Sequence, residues 1–156
     1  MTEIAPFKTL TPHQKKMFGD RLKTLDAELP GYRKAFRHLE KQMTDIIPNT
    51  AVVVTPWPCE HLFDLIDNGH LHEGKVRMTC GRPSRCHDNV VRQWQLKRFS
   101  AIGTGFGLSA DGLWREHSWG LSRNGTIVET TANRTAYFGV RLVGDDAAAF
   151  AGKGTI

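Results

Sequence analysis

Leu113-Trp114-Arg115-Glu116-His117-Ser118-Trp119-Gly120-Leu121, then Ser122-Arg123-Asn124-Gly125, then Thr126-Ile127-Val128-Glu129-Thr130-Thr131, is the stretch on which the fold of this chain turns. The two outer runs are rich in Trp, Ile, Val and Thr and read as strands, and the Asn-Gly between them marks a hairpin turn. A two-residue turn puts Glu129 on the face opposite His117, because side chains alternate along a strand. A three-residue loop with Gly125 left-handed pairs Trp119 with Glu129 and His117 with Thr131. His117 and Glu129 then share a face as diagonal neighbours, about 7–8 Å apart at the backbone. The three-residue register is preferred because it keeps the acid beside a histidine.

Working outward, Ile102–Ser109 reads as the preceding strand, joined through Asp111-Gly112, and Tyr137–Val143 as the following one. The second half of the chain is thus expected to be an antiparallel meander, closed by a helical turn at Asp145–Ala151. The first half has helical spacing. Thr11-Pro12 opens a helix to about Leu29, with Met17, Leu22, Leu25 and Leu29 as its apolar stripe. Pro30-Gly31 separates it from a second helix over Tyr32–Ile47, with Phe36, Leu39, Met43, Ile46 and Ile47 inward. Ala51–Thr55 reads as a short buried strand, Cys59–Asp67 as a short helix and Lys75–Thr79 as another strand. After the loop Gly81-Arg82-Pro83-Ser84, a helix runs from about Arg85 to Trp94. The fold class is α+β, in a single domain 1–156 whose helical N-terminal segment is 1–50.

The composition is that of a globular domain: 156 residues, 40% hydrophobic and 24% charged. No apolar run is long enough to cross a bilayer, so no membrane partner is expected. Met1–Lys8 lacks the features of a signal peptide, which makes the cytoplasm the expected compartment. Three cysteines, an odd number, argue against a disulfide framework and leave at least one free thiol. The formal net charge of +5 could steer an anionic partner.

Cys86 lies in the first turn of the expected Arg85–Trp94 helix, with Ser84 as candidate cap. Free N–H groups and the helix dipole there lower a thiol's pKa, and Arg82 and Arg85 add positive potential. Cys86, Val90 and Trp94 share one helical face, so the sulfur points into the fold. A lone cysteine in such a place is more often a small core residue. What turns the reading is His117 on a downstream strand and Glu129 on the next, since a nucleophilic thiol needs a base and the base a group to orient it.

Gly81…Cys86, His117-Ser118-Trp119 and Glu129-Thr130-Thr131 together resemble the transglutaminase-like branch of the papain-like cysteine enzymes: Cys at a helix start, a His-x-Trp strand, and an acid followed by Thr on the next strand. The resemblance covers about residues 81–131. It implies a papain-like core over 81–143, in which the nucleophile-bearing helix packs on the sheet. It also implies Cys86 as nucleophile, His117 as base and Glu129 as orienting carboxylate, in a place where the family pattern usually has Asp. Trp119, Arg82 and Arg85 are the candidate substrate-binding residues, and Asn89 and Asn133 are alternative partners for His117. The activity implied is cysteine-dependent acyl transfer (amidase, protease, deamidase or transglutaminase type) on a protein or peptide amide, an acidic substrate suiting the basic balance. No cofactor or metal is required.

The alternative is a non-enzymatic basic module that binds nucleic acid or an acidic protein, with structural zinc drawn from Cys59-Glu60-His61, His70-Leu71-His72, Cys80 and Cys86-His87. None of these has strong metal-ligand spacing. His70-Leu71-His72 reads as a loop with His72 exposed, and Trp57, Trp94, Trp114 and Trp119 as core. The alternating glycines of Gly103-Thr104-Gly105-Phe106-Gly107 do not form a P-loop; in a strand they imply close approach by a backbone, a substrate or a helix.

Overall fold

Thr11 starts the first helix by reciprocal bonding: its hydroxyl accepts the Gln14 N–H at 3.1 Å and the Gln14 side chain accepts the Thr11 N–H at 3.0 Å. The computed structural model describes residues 10–153, so the Met1–Lys8 stretch lies outside it. Helix α1 spans Pro12–Glu28 and buries Phe18, Leu22 and Leu25. Leu29 falls beyond its last turn and is exposed. Helix α2 spans Tyr32–Ile46 and buries Tyr32, Phe36, Leu39 and Met43, while Ile46 turns outward. Strand β1 (Ala51–Val52), helix α3 (Leu62–Asn68), strands β2 (His70–Leu71) and β3 (Val76–Met78), and helix α4 (Cys86–Gln95) follow. Then come β4 (Ala101–Leu108), β5 (Leu113–Leu121), β6 (Ile127–Glu129), β7 (Ala136–Leu142) and helix α5 (Gly144–Lys153).

The protein is α+β: the described residues form five helices and one seven-stranded mixed sheet ordered β2-β7-β4-β5-β6-β3, with β1 beside β5. This corrects the expected meander. β4, β5 and β6 are consecutive antiparallel neighbours, but β7 crosses to the far edge of β4 instead of pairing with β6. The outer edge of β6 is already taken by β3, which runs parallel to it. All eight residues of β4 are buried, so a partner on each edge satisfies its backbone groups. Among the described residues, no helix is long and apolar enough to cross a membrane.

Both hairpins use the same loop. Ser109 N–H bonds the Leu113 carbonyl and Ser122 N–H bonds the Thr126 carbonyl, with Gly112 and Gly125 left-handed at φ 83° and 84°. The β5–β6 register, Gly120 opposite Val128 and Leu121 opposite Ile127, is the three-residue one. Continued by one step, it sets Trp119 opposite Glu129.

The glycines of β4 admit rings. A side-chain carbon on Gly103 would overlap the Trp119 indole, and one on Gly107 would lie 3.1 Å from the His117 ring. Gly139 on β7 leaves room for the far edge of the same indole. Trp119, fully buried, packs with Ala101, Leu121, Ile127 and Tyr137 in a small core apart from the main one under the helices.

Gly103→Ala tests this packing. In a mid-strand position alanine is otherwise favoured over glycine by about 0.5–1 kcal/mol. The overlap with Trp119 reverses the sign, and we expect a net loss of about 1–3 kcal/mol in urea unfolding. A variant as stable as the wild type would show that the indole does not need the space.

Candidate active site

β5 has one edge filled by β4. On its other edge β1 pairs only at Leu113–Trp114 and β6 only at Gly120–Leu121, which leaves the middle of the strand open. The first turn of α4 meets this gap. The Ser118 N–H is directed at the Cys86 sulfur, and so is the N–H of His87. Loop and helix are tied together by Asn89, whose amide bonds the Arg82 N–H and carbonyl at 3.0 and 2.9 Å and reaches the Thr130 hydroxyl at 3.4 Å. Gln93 adds a bond to the Cys80 carbonyl at 3.2 Å. The expected Ser84 cap is corrected: Ser84 is left-handed at φ 59°, and Arg85 holds the cap position without a side-chain capping bond to the helix backbone. Asn89 is thereby committed to the loop and does not orient His117.

His117 is 3% exposed and Glu129 fully buried. The Nε2 of His117 bonds Glu129 Oε1 at 2.7 Å. The same oxygen accepts the Tyr137 hydroxyl at 2.9 Å, and Oε2 accepts the Thr131 N–H and hydroxyl at 2.9 and 3.1 Å. Four donors fill the carboxylate. Burial alone would raise its pKa, but His117, Thr131 and Tyr137 together bring it down to about 2. Burial likewise pulls the imidazole down, and the bonds and charges of Cys86 and Glu129 carry it above its ordinary value. At Cys86 burial raises the thiol; His117, Ser118 N–H and His87 N–H outweigh it, and the net shift is downward. With Nε2 on Glu129, the His117 nitrogen left for the sulfur is Nδ1, which is buried and has no hydrogen-bond partner. The structure therefore brings Cys86, His117 and Glu129 into one chain of contacts.

The other predicted residues lie elsewhere. Trp119 is enclosed and does not line the opening; its ring, 5.9 Å from that of His117, backs the imidazole. Arg82 and Arg85 are exposed outside the cleft, with Arg85 paired to Asp88 at 3.1 Å. Asn133 is exposed and makes no bond to His117. His72, expected to be exposed, is half-buried just past β2, with Nε2 on the Gly139 carbonyl at 3.1 Å and its ring against Trp119. Trp57, expected in the core, is 58% exposed. Among the described residues, no three His, Cys, Asp or Glu converge as metal ligands. Tyr137 and the Ser118 N–H escaped the sequence reading, because nothing local announces that β7 crosses back or that β5 has an open edge.

Cys86 and His117 line a cleft of about 420 Å³ together with Trp57, Cys59 and Phe150 among others. No protein-family model matches the chain, and neither a curated protein nor a solved structure does.

Glu129 sets an acid limit on stability. Its pKa is lower folded than unfolded, so its contribution is present above the ordinary value of 4.5 and is lost as pH falls towards about 2. His117, shifted upward, contributes fully below its ordinary 6.5 and loses that contribution as pH rises through its folded value. Urea midpoints should therefore fall more steeply between pH 4.5 and 2 in the wild type than in Glu129→Gln. Parallel curves would remove the carboxylate from this role.

Proposed function

We propose that the chain is a cysteine-dependent acyl-transfer enzyme with a papain-like, transglutaminase-like arrangement of helix and sheet. One observation carries the reading: a buried imidazole with Nε2 fixed by a saturated carboxylate and only the Cys86 thiol left for Nδ1. A structural cysteine has no need of a histidine so oriented.

In this reading the Cys86 proton resides on His117, and the imidazolium is stabilised by Glu129. The thiolate attacks the carbonyl carbon of an amide or thioester. The C–S bond forms while the carbonyl electron pair moves to oxygen. The first turn of α4 has no side-chain cap, so the Cys86 N–H is a donor suited to that oxyanion. Collapse of the intermediate breaks the bond to the leaving group, which takes the proton from His117. Water or an amine, deprotonated by His117, then releases the acyl group from sulfur. Water gives hydrolysis and an amine gives transfer.

Iodoacetamide labelling, followed by peptide mapping from pH 5 to 9, tests the pair. Cys86 should label well below the ordinary cysteine pKa of about 8.5 in the wild type, and His117→Asn should move its profile back to that value. Cys59, with its thiol pushed up to about 12 by burial and by the charge of Glu116, should stay unlabelled in both. Superimposable Cys86 profiles rising only above about pH 8 would sink the dyad. Cys86→Ala should abolish any acyl transfer and keep the wild-type unfolding transition.

A further inference from the structure

The cleft holds a second group of side chains that acyl transfer does not use. Glu116 precedes His117 on β5, points to the other face of the strand and lines the same opening. Its carboxylate accepts the Trp57 indole N–H at 3.0 Å and the Cys59 thiol. Both donors are neutral, and among the described residues Glu116 is in no ion pair. Arg115, the adjacent cation, is committed to Asp111 through two bonds of 3.1 and 2.8 Å. Burial and the charge of Glu60 hold Glu116 above the ordinary carboxylate range, and the two donors offset this only in part. Trp57, 58% exposed at the rim, has its ring fixed by that bond to Glu116.

A half-buried carboxylate without a counter-charge costs stability, so a purely structural acceptor for Trp57 would be better served by an amide. Nor does a structural role call for the indole face to stay open to solvent. An indole face fixed beside an uncompensated carboxylate is, by contrast, a receptor for a cation. We infer that Trp57 and Glu116 form the specificity subsite for a cationic group of the substrate, an ammonium or guanidinium carried beside the carbonyl that Cys86 attacks. The inference rests on the acyl-transfer reading of Cys86. The preference is local, since the chain's net charge of +5 repels cations as a whole.

The test uses the full chain and two thiol probes with the same reactive group, the cationic 2-(trimethylammonio)ethyl and the anionic 2-sulfonatoethyl methanethiosulfonates. Labelling rates at Cys86 are read by peptide mapping, and exposed Cys80 on the same chain corrects for the probes' intrinsic difference. We expect the corrected cation-to-anion ratio at Cys86 to be about tenfold, equivalent to about 1.4 kcal/mol. Glu116→Gln, which keeps an acceptor for Trp57, should lower it at least threefold, and Trp57→Leu should lower it too. A ratio of one or less in the wild type overturns the subsite, as does a ratio unmoved by Glu116→Gln in a variant with a normal unfolding transition. If Glu116→Gln does not fold, Trp57→Leu decides in the same way. Cys86 labelling that is insensitive to His117→Asn strikes instead at the acyl-transfer reading, and the charge ratio still judges the subsite.

Discussion

A carboxylate with no access to water lies between two strands, and the surrounding fold is built to keep it charged. An ionised group taken out of water costs several kcal/mol unless its lone pairs are filled. Glu129 meets that demand with four donors from three parts of the chain: His117 on β5, Thr131 just past its own strand, and Tyr137 on β7. Each donor carries a condition. The His117 contact needs the three-residue hairpin loop, because a one-residue slip sends Glu129 to the other face. The Tyr137 contact needs β7 to leave the meander and pair with β4. Register and topology are both bound to this one buried anion.

The second constraint is an interruption. A strand with an unpaired edge is ordinarily a liability. β5 has such an edge because β1 and β6 cover only its ends, and the first turn of α4 fills the vacancy. The strand's free Ser118 N–H and the helix's early His87 N–H then point at one atom, the Cys86 sulfur. The side-chain cap missing from α4 fits this arrangement, since a capping oxygen would compete for the same N–H groups.

How much of this could be read in advance depends on distance along the chain. His117 and Glu129 are separated by one hairpin, so alternation and a left-handed Gly125 suffice to put them on a common face. The first turn of α4 could be located from local signals, although its cap could not: Ser84 looks like one until its backbone turns left-handed. Tyr137 was invisible because its contact with Glu129 depends on a crossover that no local pattern specifies. The glycines of β4 announced a close approach, but not that the visitors are the rings of Trp119 and His117. Trp57 looked like core because tryptophan usually is; its exposure comes from a cleft assembled by distant segments.

That cleft holds two of the three cysteines, and comparing them separates burial from chemistry. Desolvation is the largest influence on both thiols and pushes both upward. Cys59 faces the Glu116 carboxylate, whose charge pushes in the same direction, so its thiol stays protonated. Cys86 faces an imidazole and two backbone N–H groups, which reverse the sign. The difference between a thiol raised in pKa and one lowered is then made largely by β5. Adjacent residues on that strand, Glu116 and His117, point to opposite faces, and each governs one cysteine. Because strand alternation keeps the two neighbours apart, one carboxylate can hold a thiol neutral without repelling the thiolate that the next residue stabilises. A single cleft can in that way hold a carboxylate and a thiol of lowered pKa on opposite faces of one strand, so that neither suppresses the other.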